Sequence, residues 1–143
     1  MVSKKQRKKY IVTLLTMRDK QALKLAAVGM VAMFLVSGVM KIKSWGASEA
    51  ERFSLRTGMC KPNSQRIVFL AGIIELLGSF LILQGVLQDK RSNVELGAAI
   101  LAVLTVLATL IFYTNPLKPY PFLSNLAVLS GLILLPMVCA VRN

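Results

Sequence analysis

Long apolar blocks alternate with short polar ones along the chain, and within the blocks the apolar residues surround the helix instead of marking one stripe. Four blocks stand out, Ala22–Met40, Ile67–Leu87, Leu96–Tyr113 and Phe122–Val141, each 18 to 21 residues long. At ~1.5 Å of rise per residue, such a helix crosses the ~30 Å hydrocarbon core of a bilayer. The second block, IVFLAGIIELLGSFLILQGVL, is apolar or small except at Glu75 and Gln84. A carboxyl group inside a membrane helix costs ~2.5 kcal/mol or more to insert, so Glu75 is expected to face other helices. Gly72, Glu75, Gly78 and Ser79 follow three- and four-residue spacing and share one helix face. Small residues on that face let a neighbouring backbone come close.

The pattern predicts an all-α polytopic membrane protein, an antiparallel four-helix transmembrane bundle. Its helices run over about 22–41, 67–87, 96–113 and 122–141. They form one domain, residues 22–143, behind a basic segment at residues 1–21. On the first span Ala22, Ala26, Gly29, Met33 and Ser37 lie along one face, which makes Gly29 a candidate packing position. Lys41 follows one turn on and either reaches outward to the headgroups or bends inward to Glu75. Thr109, at a similar depth on the third span, is another candidate partner of Glu75, although such threonines usually bond a carbonyl one turn back. Gly131 and its small neighbours mark a packing face on the fourth span, where Pro136 is expected to kink the inner end.

The connection 42–66 is the longest between spans. Its Ser48-Glu49-Ala50-Glu51 stretch has capping-box form, predicting a short interfacial helix from Glu49 to Thr57 that ends before Gly58. The stretch 115–121 holds three prolines and is expected to form a rigid turn. Trp45, Tyr113 and Tyr120 fall at helix ends on one side, where aromatic rings anchor a membrane protein.

The net charge of +12 takes a topological reading. With both termini and the 88–95 linker on one side, that side holds eleven basic residues against seven on the other. The positive-inside rule then places both termini on the cytoplasmic or equivalent side. Lys4, Lys5, Arg7, Lys8 and Lys9 are expected to contact anionic lipid headgroups, at ~1 kcal/mol each near the surface, or a partner, or else to serve as a topology signal alone, and not to bind nucleic acid. Endoplasmic reticulum or mitochondrial inner membrane is expected ahead of a bacterial plasma membrane. The chain has no histidine, which excludes histidine-ligated haem and disfavours zinc and di-iron sites. Cys60 and Cys139 fall near opposite membrane faces, far beyond the ~7 Å Cα limit for a disulfide.

Three stretches carry a family resemblance. They are the Gly38-x-x-Lys41 ending of the first span, AGIIELLGSFLILQG at Ala71–Gly85, and Asn115-Pro116-Leu117-Lys118-x-Tyr120 before the fourth span. Together they resemble the DoxX-like family of small four-helix membrane proteins, the last stretch pointing to its eukaryotic branch, which includes an acetylcholine receptor chaperone. The histidine that members often carry in the third span has no counterpart here. The resemblance implies diverse roles, from assembly of membrane oligomers to association with a thiosulfate:quinone oxidoreductase.

The expected function is that of a non-enzymatic accessory protein that binds other integral membrane proteins, as chaperone or structural subunit, without a resident cofactor or metal. The lipid bilayer and other membrane proteins are its expected partners. The alternatives are a quinone-linked redox subunit, with Glu75 and Lys41 moving a proton, and a small proton-coupled transporter.

Overall fold

The computed structural model describes residues 4–114 and 117–140, with side chains placed for 21–22, 24–114 and 117–139. These residues form five helices, α1 (Lys4–Lys43), α2 (Ala47–Thr57), α3 (Lys61–Leu87), α4 (Arg91–Tyr113) and α5 (Pro119–Ala140). No strand occurs among them. Four segments are long and apolar enough to cross a membrane: Lys24–Lys43, Lys61–Leu87, Arg91–Tyr113 and Pro119–Cys139. The protein is an integral, multi-pass four-helix bundle with short α2 between the first two spans.

Every helix starts earlier than its apolar block. α3 begins at Lys61 instead of 67, α4 at Arg91 instead of 96, and α1 at Lys4 instead of 22. Hydropathy marks the lipid-embedded stretch, whereas backbone hydrogen bonding continues into the polar flanks until a residue stops it. Pro62 sits in the first turn of α3, where its missing N–H costs nothing. α5 continues through Pro136 to Ala140. The stretch at 48–51 does not act as a capping box. α2 instead starts after Gly46, whose φ of 78° is left-handed and which receives no side-chain cap. Ser44 takes the capping role by accepting from the Ser48 N–H at 3.4 Å and donating to Ser48 Oγ at 3.0 Å. Asn115 and Pro116 lie outside the described residues; beside them Lys118 N–H closes the turn on Tyr113 O at 3.0 Å.

Antiparallel seams hold the bundle together. On α1 the buried positions are Ala27, Val31, Phe34, Gly38 and Lys41, spaced alternately four and three. This corrects the sequence reading of that helix. Ala22, Ala26, Gly29 and Met33 face outward, and a Cβ on Gly29 would meet nothing within 4 Å. α1 crosses α3 where Gly38 meets Gly72, and α3 crosses α4 where Gly78 meets Gly97 and Leu101. A Cβ added to Gly97 would lie 2.6 Å from Gly78 O. α5 closes on α1 through Gly131, against the end of the Met30 side chain. An apolar core is built from Ala27, Val31, Ile82, Val94, Leu101 and Leu132 among others. Toward the α2 end it gives way to polar side chains.

Candidate functional site

Two glycine-led motifs make the site. Gly38-x-x-Lys41 on α1 packs on Gly72-x-x-Glu75 on α3. Because neither glycine has a side chain, the backbones approach until a Cβ on Gly72 would sit 2.8 Å from Lys41 Cβ and 3.1 Å from Gly38 O. Helical side chains lean toward their own N-terminus. In antiparallel helices, Lys41 therefore leans down the bundle and Glu75 leans up it. They meet, with Lys41 Nζ 2.5 Å from Glu75 Oε1, and both are buried at 8% exposure. A hydrogen-bonded pair of this kind replaces the water that each ion loses on burial.

Neighbouring groups complete the surroundings. Lys41 Nζ also donates to Ser37 Oγ at 3.0 Å, one turn back on α1. Glu49 of α2 brings its Oε2 to 3.7 Å from the same ammonium, beyond hydrogen-bond length. Glu75 Oε2 and Ser79 Oγ, one turn apart on α3, are buried and make no hydrogen bond among the described residues. α2 is held over the site by its own side chains. Ala50 and Phe53 are buried, Phe53 meets Phe112 edge-on at 6.2 Å between ring centres, and Arg52 lies 5.9 Å over the Phe112 ring. At the foot of α2, Trp45 stacks on Phe69 at 5.3 Å.

Beneath α2 these groups surround a cavity of about 180 Å³. Its polar side carries Ser37, Lys41, Glu49, Arg52 and Glu75, and its apolar side Phe34, Leu104, Phe112 and Val128. α1 and α5 both line it, meeting each other lower down at Met30 and Gly131.

The structure brings Lys41 and Glu75 together but not Thr109. Thr109 donates to Thr105 O at 2.6 Å and accepts from Asn125 Nδ2 at 2.9 Å, tying α4 to α5. It lines a separate apolar cavity of about 190 Å³ between those helices. Gly72, Gly78 and Ser79 are buried in the helix seams, Gly131 rests on Met30, and a Cβ on Gly29 would meet nothing within 4 Å among the described residues. The side chains of Lys4, Lys5, Arg7, Lys8 and Lys9 lie outside the described residues. Sequence reasoning missed Glu49 as a neighbour of Lys41, and it missed Gly97 and Gly85 as close-approach positions on the α3–α4 seam. Gly97 packs on Gly78 and Ile82, and Gly85 on Val94 and Lys90; the available signal was that glycines flank a short antiparallel connection on both sides. Glu49 carried no signal, since its position depends on the path of the chain through Gly46.

Comparison of the chain with curated proteins and with solved structures gives no match. The DoxX family model matches residues 23–114, which include α2, the span of α1, and both helices that pack on Glu75's side of the bundle. Over this stretch, nearly two-thirds of its length, the chain carries the paired Gly-x-x-Lys and Gly-x-x-Glu seam, and it belongs to the DoxX family.

Proposed function

We propose that this protein is a non-enzymatic accessory membrane protein that docks helices of other integral membrane proteins, as a chaperone or as a subunit of a larger complex. The supporting observation is the outward face of α1. Ala22, Ala26 and Gly29 are exposed at helical spacing, with open space around Gly29. Lipid-facing positions gain nothing from small side chains, whereas a second helix gains close van der Waals contact there. The ion pair and glycine seams inside the bundle keep that face in a fixed orientation. In this reading Lys41–Glu75 is a structural clasp, both termini lie on the cytoplasmic or equivalent side, and the basic residues before Gln21 hold that end against anionic headgroups or a partner.

The test is native size after gentle detergent extraction, with mass spectrometry of the band, for wild type and Gly29→Leu. A large band with fixed partner stoichiometry makes the protein a subunit. A small band with trace amounts of varied membrane proteins makes it a chaperone. In either case Gly29→Leu should lose the partners while the isolated protein unfolds at the wild-type temperature. Partners retained in full by Gly29→Leu would remove α1's outward face from the argument. A monomer without associated membrane proteins would sink the accessory reading.

A further inference from the structure

We infer that the cavity beneath α2 is a binding site for a neutral, mostly apolar molecule of about one ring's size that carries a hydroxyl group. This stands apart from the docking role of α1's outer face. Three observations converge on it.

The first is size. A cavity of ~150 Å³ with apolar walls holds a benzene-sized molecule, and this half-open one has about 180 Å³. Phe34, Leu104, Phe112 and Val128 supply apolar walls.

The second is charge. The cavity is lined by two cations, Lys41 and Arg52, and two carboxylates, Glu49 and Glu75. A cationic ligand would sit beside Lys41 and Arg52, and an anionic one beside Glu49 and Glu75. Lys41 and Glu75 are buried, so an ion beside either meets a like charge that solvent screens little, and a neutral ligand avoids both.

The third is the hydrogen bonding at Lys41. An ammonium has three N–H donors. Two of them go to Ser37 Oγ at 3.0 Å and Glu75 Oε1 at 2.5 Å. The remaining charged neighbour, Glu49 Oε2, is 3.7 Å away, too far for a hydrogen bond but close enough for one oxygen to bridge. A hydroxyl is a neutral group whose single oxygen both accepts and donates. It takes the third N–H of Lys41 and gives its own proton to Glu49, while the body of the molecule rests on the aromatic wall. A carbonyl would satisfy Lys41 and leave Glu49 without a donor.

Two sources share this chemistry, a freely diffusing phenol or alcohol and the hydroxyl end of a neutral membrane lipid. The experiment uses the full chain in phosphatidylcholine nanodiscs, with binding of phenol and toluene read by saturation-transfer NMR. Phenol should bind about tenfold tighter than toluene, the worth of one or two net hydrogen bonds. Glu49→Ala, on the solvent side of the cavity, should remove one of the hydroxyl's two hydrogen bonds and weaken phenol about threefold, with toluene binding unchanged. Ala108→Phe, which fills the cavity away from the ion pair, should lose both ligands. Equal binding of the two probes by wild type overturns the inference, and so does phenol binding that Glu49→Ala leaves unchanged. Should Ala108→Phe fail to fold, the Glu49→Ala comparison decides alone. Adding diacylglycerol to the nanodiscs then separates the sources. Displacement of phenol assigns the site to a membrane lipid, and undisturbed phenol binding assigns it to a diffusing molecule.

Discussion

At the scale of single residues, Lys41 and Glu75 stabilise the bundle only as a pair. Each lost its hydration on burial, and each recovers part of it from the other. Removing one leaves an uncompensated ion in a mostly apolar surrounding, at a typical cost of ~3–5 kcal/mol. Lys41→Met and Glu75→Leu should each destabilise by about that amount, read as the unfolding free energy of the detergent-purified protein. The double variant should regain most of the loss, because no buried charge remains. Additive losses in the double variant would show that the two side chains act separately. Glu75→Gln belongs between these cases. Its amide oxygen still accepts from Lys41, and its NH2 is a donor one turn from Ser79 Oγ, which otherwise makes no hydrogen bond among the described residues. Its cost should be roughly half that of Glu75→Leu. If Glu75→Gln and Glu75→Leu both unfold like wild type yet both abolish partner or ligand binding, the carboxylate has a chemical role and the clasp reading fails.

At the scale of helices, the glycines divide by what they touch. Gly72 lies in the α1–α3 crossing, where a Cβ would come 2.8 Å from Lys41 Cβ, inside the contact distance of real methyl groups. Gly72→Ala should therefore push the helices apart and cost ~1–3 kcal/mol, the range for overpacking. Gly29→Ala should stabilise by roughly 0.5–1 kcal/mol through helix propensity, since nothing lies within 4 Å of it. Thermal unfolding of the two variants side by side checks both signs, and a destabilising Gly29→Ala would contradict the outward orientation of that face. The same pair shows what was legible in the sequence. The spans were legible because bilayer thickness sets their length and leaves a run of apolar residues. On α3 the spacing of Gly72, Glu75, Gly78 and Ser79 selects one face, and the structure buries all four, because a carboxyl group has few places to go in a membrane helix. On α1 two interleaved sets have helical spacing, Ala22-Ala26-Gly29-Met33 and Ala27-Val31-Phe34-Gly38-Lys41, and apolar residues surround the helix. Residue size alone chose the outward set. The inner set is fixed by Lys41, the one residue of the span whose place is dictated by a partner on another helix. Glu49 was out of reach for a different reason. α2 is positioned by the left-handed turn at Trp45 (φ 52°) and Gly46 (φ 78°), and no helical periodicity encodes that turn.

At the scale of the whole molecule, polar groups gather at one end of the bundle and the basic arm extends from the other. α1 spans 40 residues, so at ~1.5 Å per residue it is about twice as long as the hydrocarbon core is thick. Its membrane-length part is Lys24–Lys43, and the helix continues from there back to Lys4, away from α2. Cys60, exposed at the start of α3, marks the α2 side. Cys139 packs near the other end of α5, against the apolar core. The single crossing by α1 between them puts Cys60 and the N-terminus on opposite faces of the membrane. The orientation we propose from the charge count, eleven basic residues against seven, puts the N-terminus on the cytoplasmic or equivalent side. A membrane-impermeant maleimide applied to sealed vesicles of known orientation should label Cys60 only from the face opposite the cytoplasm. An N-terminal epitope tag should be digested only from the cytoplasmic face. Label and digestion from the same face would mean an even number of crossings between them and would break the bundle's topology. Opposite faces in the reverse order would keep the four spans and remove the charge argument. The cavity and the ion pair would then lie in the cytoplasmic leaflet, where their hydroxyl-bearing ligand would have to come from that side.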